Sequence, residues 1–380
     1  GTRFDTAYTN CPICVPVRAS LATGRWVHDA RYWDNAFPYD GQTPSWHHRL
    51  REQGFQVDSI GKLHFSGPEH DHGFSQTIDP LHVVDGIGDV LGCLRDDGPV
   101  RRKRSGILDA GGGDSTYLQY DRRNADSGVE WLAAHRDDDK PWALMLSFVC
   151  PHPPYICPPE WFDYYAERDL PLPPQWRQGD WPAHPVIDHF RRFFDFHPQF
   201  EEPQIRRLLA AYYGACSFLD EQIGRVLTQL EALGLTQSTR VIYSSDHGEH
   251  LGGRGIFGKF SLYDESAAVP MIAAGPDVPQ GAVCRTPTSL VDLYPSIIES
   301  VGAESHNDDA GLPGRSLWTI ASNPDAQRTV LSEYHAVGSQ HASYLIRDER
   351  YKYNHYVGAP AQLFDMVSDP EELNDLAGSA

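Results

Sequence analysis

The chain is short of positive charge and has no long apolar run. Its 380 residues include 32 Lys and Arg against 52 Asp and Glu, which gives a net charge of −20. A surface this acidic repels nucleic acids and anionic lipid headgroups, so we expect neither as a partner. A helix that spans a bilayer needs about 20 consecutive apolar residues, and the sequence contains no such run. We therefore predict no membrane partner.

Cysteine is sparse and irregularly spaced. The seven cysteines show no repeated spacing of the kind found in disulfide-rich secreted domains. On this ground we expect a cytoplasmic rather than a periplasmic location, with a signal peptide ahead of residue 1 left open. Cys11 and Cys14 form one C-x-x-C pair, which is typical of redox and zinc sites. The absence of a second pair in the sequence argues against that interpretation.

Composition and periodicity indicate an α/β protein with a large core. Hydrophobic residues make up 40% of the chain and aromatic residues 11%, enough for two domains at this length. Strand-like and helical runs alternate. The predicted strands are residues 142–149, 241–243 and 269–274, and the predicted helices are 203–233 and 291–301. We place one domain at 1–321 and a small C-terminal α+β subdomain at 322–380, where 344–347 and 351–353 predict an antiparallel hairpin.

The strongest local signal begins at Cys14. Pro16 suits the first turn of a helix, where its missing N–H costs no hydrogen bond, and Gly24 suits the left-handed residue that ends one. The sequence predicts a helix over 16–23, with Cys14 just before its N-terminus. Free N–H groups and the positive end of the helix dipole favour an anion there. Arg18, one turn along, adds further hydrogen-bond donors.

Four more polar motifs follow along the chain. They are Gly61-Lys62-Leu63-His64-Phe65, Pro151-His152-Pro153-Pro154, Ser245-Asp246-His247-Gly248-Glu249 and Gly258-Lys259. His152 and Asp246 follow predicted strands directly, and Lys62 and Cys14 occupy equivalent positions. Ligands of α/β sheets bind beyond the carboxyl ends of the strands. These positions are therefore where a site is expected.

Taken in order, the five motifs resemble the signature of the sulfatase family. The run from Cys14 to Arg25 resembles the stretch in which a formylglycine-generating enzyme oxidises a cysteine to formylglycine, an aldehyde whose hydrate is the nucleophile. Tyr351–Tyr353 and Leu363–Asp365 resemble the family's closing subdomain. The resemblance implies a three-layer, alkaline-phosphatase-like α/β sandwich with a mostly parallel central sheet. It also implies a sulfuric ester hydrolase that acts on a small organic sulfate ester at Cys14.

The resemblance assigns roles that ordinary chemistry explains. Cleavage of a sulfate ester builds negative charge on the leaving oxygen and around sulfur, so cations must face it. Lys62, Lys259 and Arg18 would supply them. His152 would protonate the leaving oxygen as a general acid. His64, on the same strand face as Lys62, would take up a proton as sulfate is released.

Asp246 and His247 resemble the family's metal ligands, with the formylglycine at position 14 beside them. One divalent metal would lower the pKa of the attacking hydroxyl and neutralise the sulfate. Many family members carry Asn at the second position, and their all-oxygen set suits calcium. The imidazole of His247 moves the preference towards manganese. Calcium and manganese both stay open here.

One feature departs from the family pattern. Sulfatases begin with an apolar strand that ends in an Asp-Asp or Asp-Gln pair, which supplies further metal ligands. The segment Gly1-Thr2-Arg3-Phe4 matches the stretch after that strand, and Asp5 stands in a different context. We therefore expect either that the natural protein is longer at this end, with the strand and its carboxylates included, or that this chain cannot bind metal normally.

Two alternative functions remain open. The Asp246–His247 pair also fits a phosphonate or phosphate monoester hydrolase of the same superfamily, although those enzymes generally lack the paired Lys62 and His64. An inactive member that only binds anions is the other alternative. The sequence leaves open whether the chain forms a homo-oligomer.

One stretch of the sequence indicates a specific substrate class. Residues 61–68 and 72–74 resemble the choline-sulfatase branch, and a quaternary ammonium binds in a cage of aromatic rings. The candidate cage residues lie close to the Cys14 helix in sequence: Trp26, Tyr32, Trp33 and Trp46. The basic run at 101–104 predicts a solvated loop.

Overall fold

The computed structural model describes residues 1–96, 98–197, 199–324 and 327–378. The strands in these ranges are β1 (Thr2–Phe4), β2 (Ala7–Tyr8), β3 (Gln56–Lys62), β4 (Gln76–Leu81), β5 (Gly111–Gly112), β6 (Trp142–Ser147), β7 (Ile156–Cys157), β8 (Val241–Ser244), β9 (Met271–Ala274), β10 (Ala282–Cys284), β11 (Thr288–Ser289), β12 (Val330–Tyr334), β13 (Ser343–Arg347), β14 (Tyr351–Tyr356) and β15 (Gln362–Asp365). The α-helices are α1 (Cys14–Thr23), α2 (Val27–Ala30), α3 (Trp46–Glu52), α4 (Arg104–Leu108), α5 (Thr116–Ala134), α6 (Pro159–Ala166), α7 (Pro185–Phe193), α8 (Glu202–Ala232), α9 (Asp264–Ala267), α10 (Leu293–Ser300) and α11 (Leu317–Ser322).

Two sheets carry the strands that the sequence predicts. One has the order β4-β3-β6 and is parallel throughout. The other has the order β10-β1-β9-β8, in which β1 is parallel to β10 but β9 runs antiparallel to both neighbours. The predicted α/β class with parallel strands is confirmed. The reversal at β9, which runs antiparallel to both β1 and β8, is the difference.

The two sheets share an apolar cluster. Among the described strands, β6 and β8 each pair on one side only. Leu144 of β6 and Val241 of β8 pack in one cluster with Trp131 of α5 and Leu230 of α8. Full burial of a leucine such as Leu230 contributes roughly 1.5–3 kcal/mol. Helices α5 and α8 therefore join the two sheets.

Helix α8 is the longest helix of the described chain, with 31 residues. Its start has a capping box between Glu201 and Gln204, and Pro203 lies in the first turn. These residues satisfy or remove N–H groups that would otherwise lack partners. Ile205 and Leu208 begin its buried face. The predicted helix at 203–233 is therefore confirmed to within a residue at each end.

The predicted antiparallel sheet near the C-terminus is also confirmed. It has the order β12-β13-β14-β15, and every ladder in it is antiparallel. Lys352 of β14 is fully buried, with Nζ 2.6 Å from Asp264 Oδ1 and 2.7 Å from Glu372 Oε1. Glu333 N of β12 donates to the carbonyl of Asn10 at 2.8 Å. This sheet therefore contacts the segment that leads to Cys14, while the boundary at 321/322 stays a prediction.

Within the ranges described above, no helix is both long and apolar enough to cross a bilayer.

Candidate active site

Helix α1 carries Cys14 in its first turn. The helix begins at Cys14 rather than at the predicted Pro16, and Gly24 ends it in the left-handed conformation with φ 67°. Cys14 is only 1% exposed. The N–H of the next residue, Val15, donates to Oδ1 of Asn35 at 3.1 Å. The cysteine therefore lies at the positive end of the helix dipole, inside the protein.

Two lysines converge on the sulfur of Cys14. Nζ of Lys259 lies 3.6 Å from Sγ, and Nζ of Lys62 lies 4.0 Å from it. Burial alone would raise the pKa of the Cys14 thiol, but the charges of Lys259 and Lys62, followed by that of His247, lower it well below its usual value. Opposite charges at this distance favour the ionised form. The site therefore stabilises an anion at the Cys14 position.

Arg18 ties three parts of the site together. Its Nε donates to Oδ2 of Asp246 at 2.9 Å. Its Nη1 donates to the carbonyl of Lys62 at 2.8 Å and to Oγ of Ser147 at 3.2 Å. A planar guanidinium can serve these partners at once because its donors have a fixed fork geometry. Ser147, which ends β6, is a site residue that the sequence analysis missed.

Cys14, Asp246 and His247 could hold a metal ion. One ligand atom from each lies within 4.8 Å of the others, the only such group of three in the described ranges. His247 Nδ1 interacts with the carbonyl of Gly248 at 3.0 Å, while Nε2 lies 3.1 Å from Cys14 Sγ. A donating Nδ1–H leaves Nε2 free as a ligand atom. One sulfur, one imidazole nitrogen and one carboxylate oxygen can together contribute up to three ligands to a divalent ion.

Asp246 is held as a carboxylate. Burial alone would raise its pKa, but His247 and Arg18 lower it well below the usual range. Thr9 Oγ1 donates to the backbone carbonyl of Asp246 at 2.6 Å. The acidic oxygens therefore stay charged and fixed beside Cys14.

His152 lies on the loop after β6 and also faces Cys14. Its Nδ1 interacts with the carbonyl of Pro153 at 2.7 Å. Burial, followed by the charge of Lys259, lowers the pKa of His152 to about 4, although a hydrogen bond with Cys14 opposes this effect. An anionic ligand between the two lysines would offset that repulsion and raise the pKa of His152.

His64 approaches Cys14 from the end of β3. Its backbone has φ 59°, a left-handed conformation that is uncommon outside glycine. Burial lowers its pKa, and a hydrogen bond with Cys14 opposes that effect. Its Nδ1 is buried and has no hydrogen-bond partner in the described structure. The ring therefore has one nitrogen directed to the site and a second one uncommitted.

Two carboxylates, the buried Asp121 and the half-buried Glu249, hold the loops that carry these groups. Asp121 of α5 accepts from the N–H groups of Val149 and Cys150 at 2.8 and 2.7 Å, just before His152. Glu249 Oε1 accepts from the N–H of Gly258 at 2.5 Å, just before Lys259. No local sequence pattern indicates Asp121, because its partners lie about thirty positions away.

The predicted solvated loop at 101–104 is confirmed for Arg102 and Lys103, which are exposed, whereas Arg104 begins helix α4. The ammonium of Lys103 stands 5.8 Å from the ring centre of Phe194 and 5.9 Å from that of Phe260. Partial desolvation beside these rings and then the charge of Lys259 lower the pKa of Lys103, while Asp89 raises it. Lys103 is therefore a further cation at the edge of the site.

The four candidate cage residues do not gather at one point. Trp46 is 2% exposed and packs in the core against His47 and Phe74. Tyr32 stands edge-on to Tyr39 and donates a hydrogen bond from its hydroxyl to Asp40. Trp33 lines a cavity that neither Trp26 nor the other two candidates line. The predicted aromatic cage is therefore wrong.

The C-x-x-C interpretation also fails. All seven cysteines are free. Cys11 lies in the apolar core, and burial raises the pKa of its thiol well above the usual value. Cys14 instead lies beside Asp246 and His247.

The fold has an alkaline-phosphatase-like architecture. The solved phosphonate monoester hydrolase of Silicibacter pomeroyi is similar, with a TM-score of 0.76 over 99% of this chain and 84% of that one. At 24% identity, this likeness shows the fold alone. The family itself follows from the sequence comparisons.

The model of the Sulfatase family matches residues 1–303, and the model described as N-sulphoglucosamine sulphohydrolase, C-terminal, matches residues 248–380. The chain belongs to the sulfatase family, as its motifs predicted. It is 31% identical to the choline-sulfatase of Rhizobium meliloti (strain 1021), over 99% of this chain and 75% of that protein. It is 28% identical to arylsulfatase K of Xenopus laevis, over 100% of this chain and 73% of that protein. Members of the family generally use a metal ion and formylglycine.

Proposed function

We propose that this sulfatase hydrolyses an organic sulfate monoester at residue 14. The observation that carries the proposal is the convergence of Lys259, Lys62 and His247 on the sulfur of Cys14. A sulfate ester in that pocket would meet two ammonium groups, which offset the charge that develops as the bond to the leaving oxygen breaks. Arg18 keeps Asp246 and Lys62 in place.

The roles of the remaining groups follow from their positions. In the mature protein the Sγ of Cys14 stands where formylglycine would have its oxygen, and the hydrated aldehyde supplies the attacking hydroxyl. His152 would donate a proton from Nε2 to the leaving oxygen, because its Nδ1 is engaged with Pro153. His64 would accept a proton at position 14 as sulfate departs. Asp246 and His247 would hold the divalent metal.

The metal is manganese or calcium on this proposal. The imidazole of His247 favours manganese, and the carboxylate of Asp246 suits either ion. Elemental analysis of the purified protein, followed by chelation and separate readdition of each ion, identifies it. If neither ion restored the activity lost on chelation, the proposed metal would be contradicted.

Maturation and activity are tested together. The protein is produced with and without a formylglycine-generating enzyme, and intact-mass spectrometry reports the state of residue 14. Release of 4-nitrophenol from 4-nitrophenyl sulfate reports turnover. We expect activity only in the matured protein, with loss in Cys14→Ala and retention in Cys216→Ala, a matched variant at an exposed cysteine.

The same assay separates the alternatives. An unmodified thiol in the native host, with no turnover above Cys14→Ala, would support an inactive anion-binding member and overturn the proposal. Higher kcat/KM for a phosphonate monoester than for the matched sulfate ester would support the phosphonate hydrolase. The paired Lys62 and His64, which the phosphonate hydrolases of this superfamily generally lack, support the sulfate ester.

A further inference from the structure

The segment that follows Lys259 is buried along its whole length. Residues 260–263 are each at most 5% exposed. The N–H of Phe260 donates to the carbonyl of Pro12 at 3.3 Å, two residues before Cys14. Close-packed interiors are hardly compressible and transmit strain. A shift at the far end of this short segment is therefore passed on to Lys259.

Glu372 holds the far end of the segment. Helix α9 begins at Asp264, five positions after Lys259, and Tyr263 before it provides no side-chain cap. The N–H of Asp264 donates instead to Oε2 of Glu372 at 2.7 Å, across 108 positions of the chain. The first N–H groups of a helix have no partner within the helix. Glu372 therefore supplies an acceptor that α9 lacks.

Lys352 of β14 fixes the carboxylate of Glu372 in this position. Its Nζ lies 2.7 Å from Oε1 of Glu372 and 2.6 Å from Oδ1 of Asp264. The hydroxyl of Tyr8 donates to the same Oδ1 at 2.8 Å. Lys352 and Glu372 are both buried. Charge-assisted hydrogen bonds are among the stronger ones in proteins, so both oxygens of Glu372 are firmly engaged.

Arg254 makes a second connection between α9 and the C-terminal segment. Its fully buried guanidinium pairs with Glu265 of α9. The same guanidinium donates to the backbone carbonyls of Glu371 and Glu372. The backbone around Glu372 is therefore held as well as its side chain.

The backbone is strained at both ends of the path from Glu372 to Lys259. Glu372 has φ 53° and Phe260 has φ 92°, values that are uncommon for residues other than glycine. Such conformations cost free energy and persist only where the surrounding structure requires them. Both strained residues adjoin the contacts described above.

We propose that Glu372 is a positioning residue of the sulfatase reaction, which acts through α9 to hold the ammonium of Lys259 at residue 14. The inference rests on the proposed function and adds to it a residue of the C-terminal segment. This segment then contributes to the chemical step as well as to the stability of the fold.

A double-mutant cycle on 4-nitrophenyl sulfate with matured enzyme tests the proposal. Glu372→Gln has one acceptor oxygen for the two donors Asp264 and Lys352. A small displacement of a group that faces the reacting atoms can cost about 100-fold in rate, so we expect kcat to fall by about 10- to 100-fold, with a smaller change in KM. In the Lys259→Gln background, the same substitution should change kcat by less than about twofold, because the group that it displaces is already absent.

Glu371→Gln is the matched control, because this neighbouring side chain is exposed. It should keep the parent kcat. An unchanged kcat in Glu372→Gln, or an equal loss with and without Lys259, would overturn the proposal. Circular dichroism checks that each variant is folded. If Glu372→Gln does not fold, Glu372→Asp, which keeps the charge on a shorter side chain, replaces it in the cycle.

The proposed function and this inference fail separately. Turnover of 4-nitrophenyl sulfate with an additive cycle defeats the inference alone. If no sulfate ester is cleaved, hydrogen–deuterium exchange of peptides that cover residues 256–266 still gives a result. Faster exchange in Glu372→Gln, with parent exchange in Glu371→Gln, would support the placement of Lys259 by Glu372. Exchange in Glu372→Gln as slow as in the parent would overturn it.

Discussion

Nζ of Lys259 lies 3.6 Å from Sγ of Cys14, although 245 positions separate the two residues in the chain. Lys62 reaches the same sulfur from β3 at 4.0 Å. Neither ammonium is free to move away, because both lysines are buried. Two fixed cations therefore stand beside an anionic centre before any substrate arrives, and no reorganisation is required as charge develops.

Replacing Lys259 by Gln should slow the chemical step. One preorganised group that faces developing charge contributes roughly 100- to 1,000-fold in kcat. We expect a loss of that size for Lys259→Gln, measured on 4-nitrophenyl sulfate with matured enzyme. Lys140→Gln, at an exposed lysine, should keep the parent kcat. A loss confined to KM would contradict a role of Lys259 in the transition state.

Replacing His152 by Gln should give a defect that depends on the leaving group. A general acid matters most when the departing oxygen is strongly basic, and little when it is already a good leaving group. Across a series of substituted phenyl sulfates, we expect the ratio of parent to His152→Gln kcat to rise with the pKa of the phenol. A constant ratio across the series would indicate that His152 acts in binding and not as an acid.

Asp121→Asn should loosen the loop that carries His152. Asp121 accepts from two backbone N–H groups, and an amide offers only one acceptor oxygen. We expect a loss of about 1–3 kcal/mol in the free energy of unfolding, and a lower kcat with the same leaving-group dependence as His152→Gln. Asp126→Asn, at an exposed position of the same helix, is the control. Lost stability with an unchanged leaving-group series would show a purely structural role.

The sequence predicted the residues that face Cys14 because each lies in a short motif at a strand end or a helix start. Lys62, His152 and Asp246 depend on local chain geometry, which short-range patterns report. Supporting residues are different, since Ser147 and Asp121 act on partners far away in the chain. No local pattern distinguishes them from ordinary polar residues.

The error over Trp46 has a physical cause. Its position in the sequence places it near the Cys14 helix and predicts a place in an aromatic cage, yet burial against Phe74 is the more favourable use of its large apolar surface. Packing against a distant segment decided its environment, which only the folded chain reveals.

Lys352→Met should strongly destabilise the fold. Its ammonium is fully buried and contacts both Asp264 and Glu372, so removal leaves two carboxylates without their cation. Breaking a buried ion pair in this way costs roughly 3–5 kcal/mol. Denaturant unfolding of Lys352→Met, beside the exposed control Lys140→Met, measures the loss. A change below about 1 kcal/mol, as at surface pairs, would contradict a structural role for this contact.

Acid should weaken the protein through His72. Burial, followed by the charges of His82 and His70, lowers the pKa of His72 to about 4 from its ordinary value of 6.5. The folded state then binds fewer protons than the unfolded state between these two values. Stability attributable to His72 is therefore complete above pH 6.5 and is lost as pH falls towards 4.

Urea unfolding at several pH values from 7 to 4 measures this loss. One proton of difference corresponds to a slope of about 1.4 kcal/mol per pH unit. We expect the slope to decrease by up to that amount in His72→Gln, because glutamine does not titrate, and to stay unchanged in His306→Gln, at an exposed histidine. Ser66 Oγ, 3.0 Å from Nε2 of His72, remains available to the glutamine amide. Parallel curves for the parent and His72→Gln would assign the acid sensitivity to other buried groups, of which His47 is the first to test, because burial lowers its pKa as well.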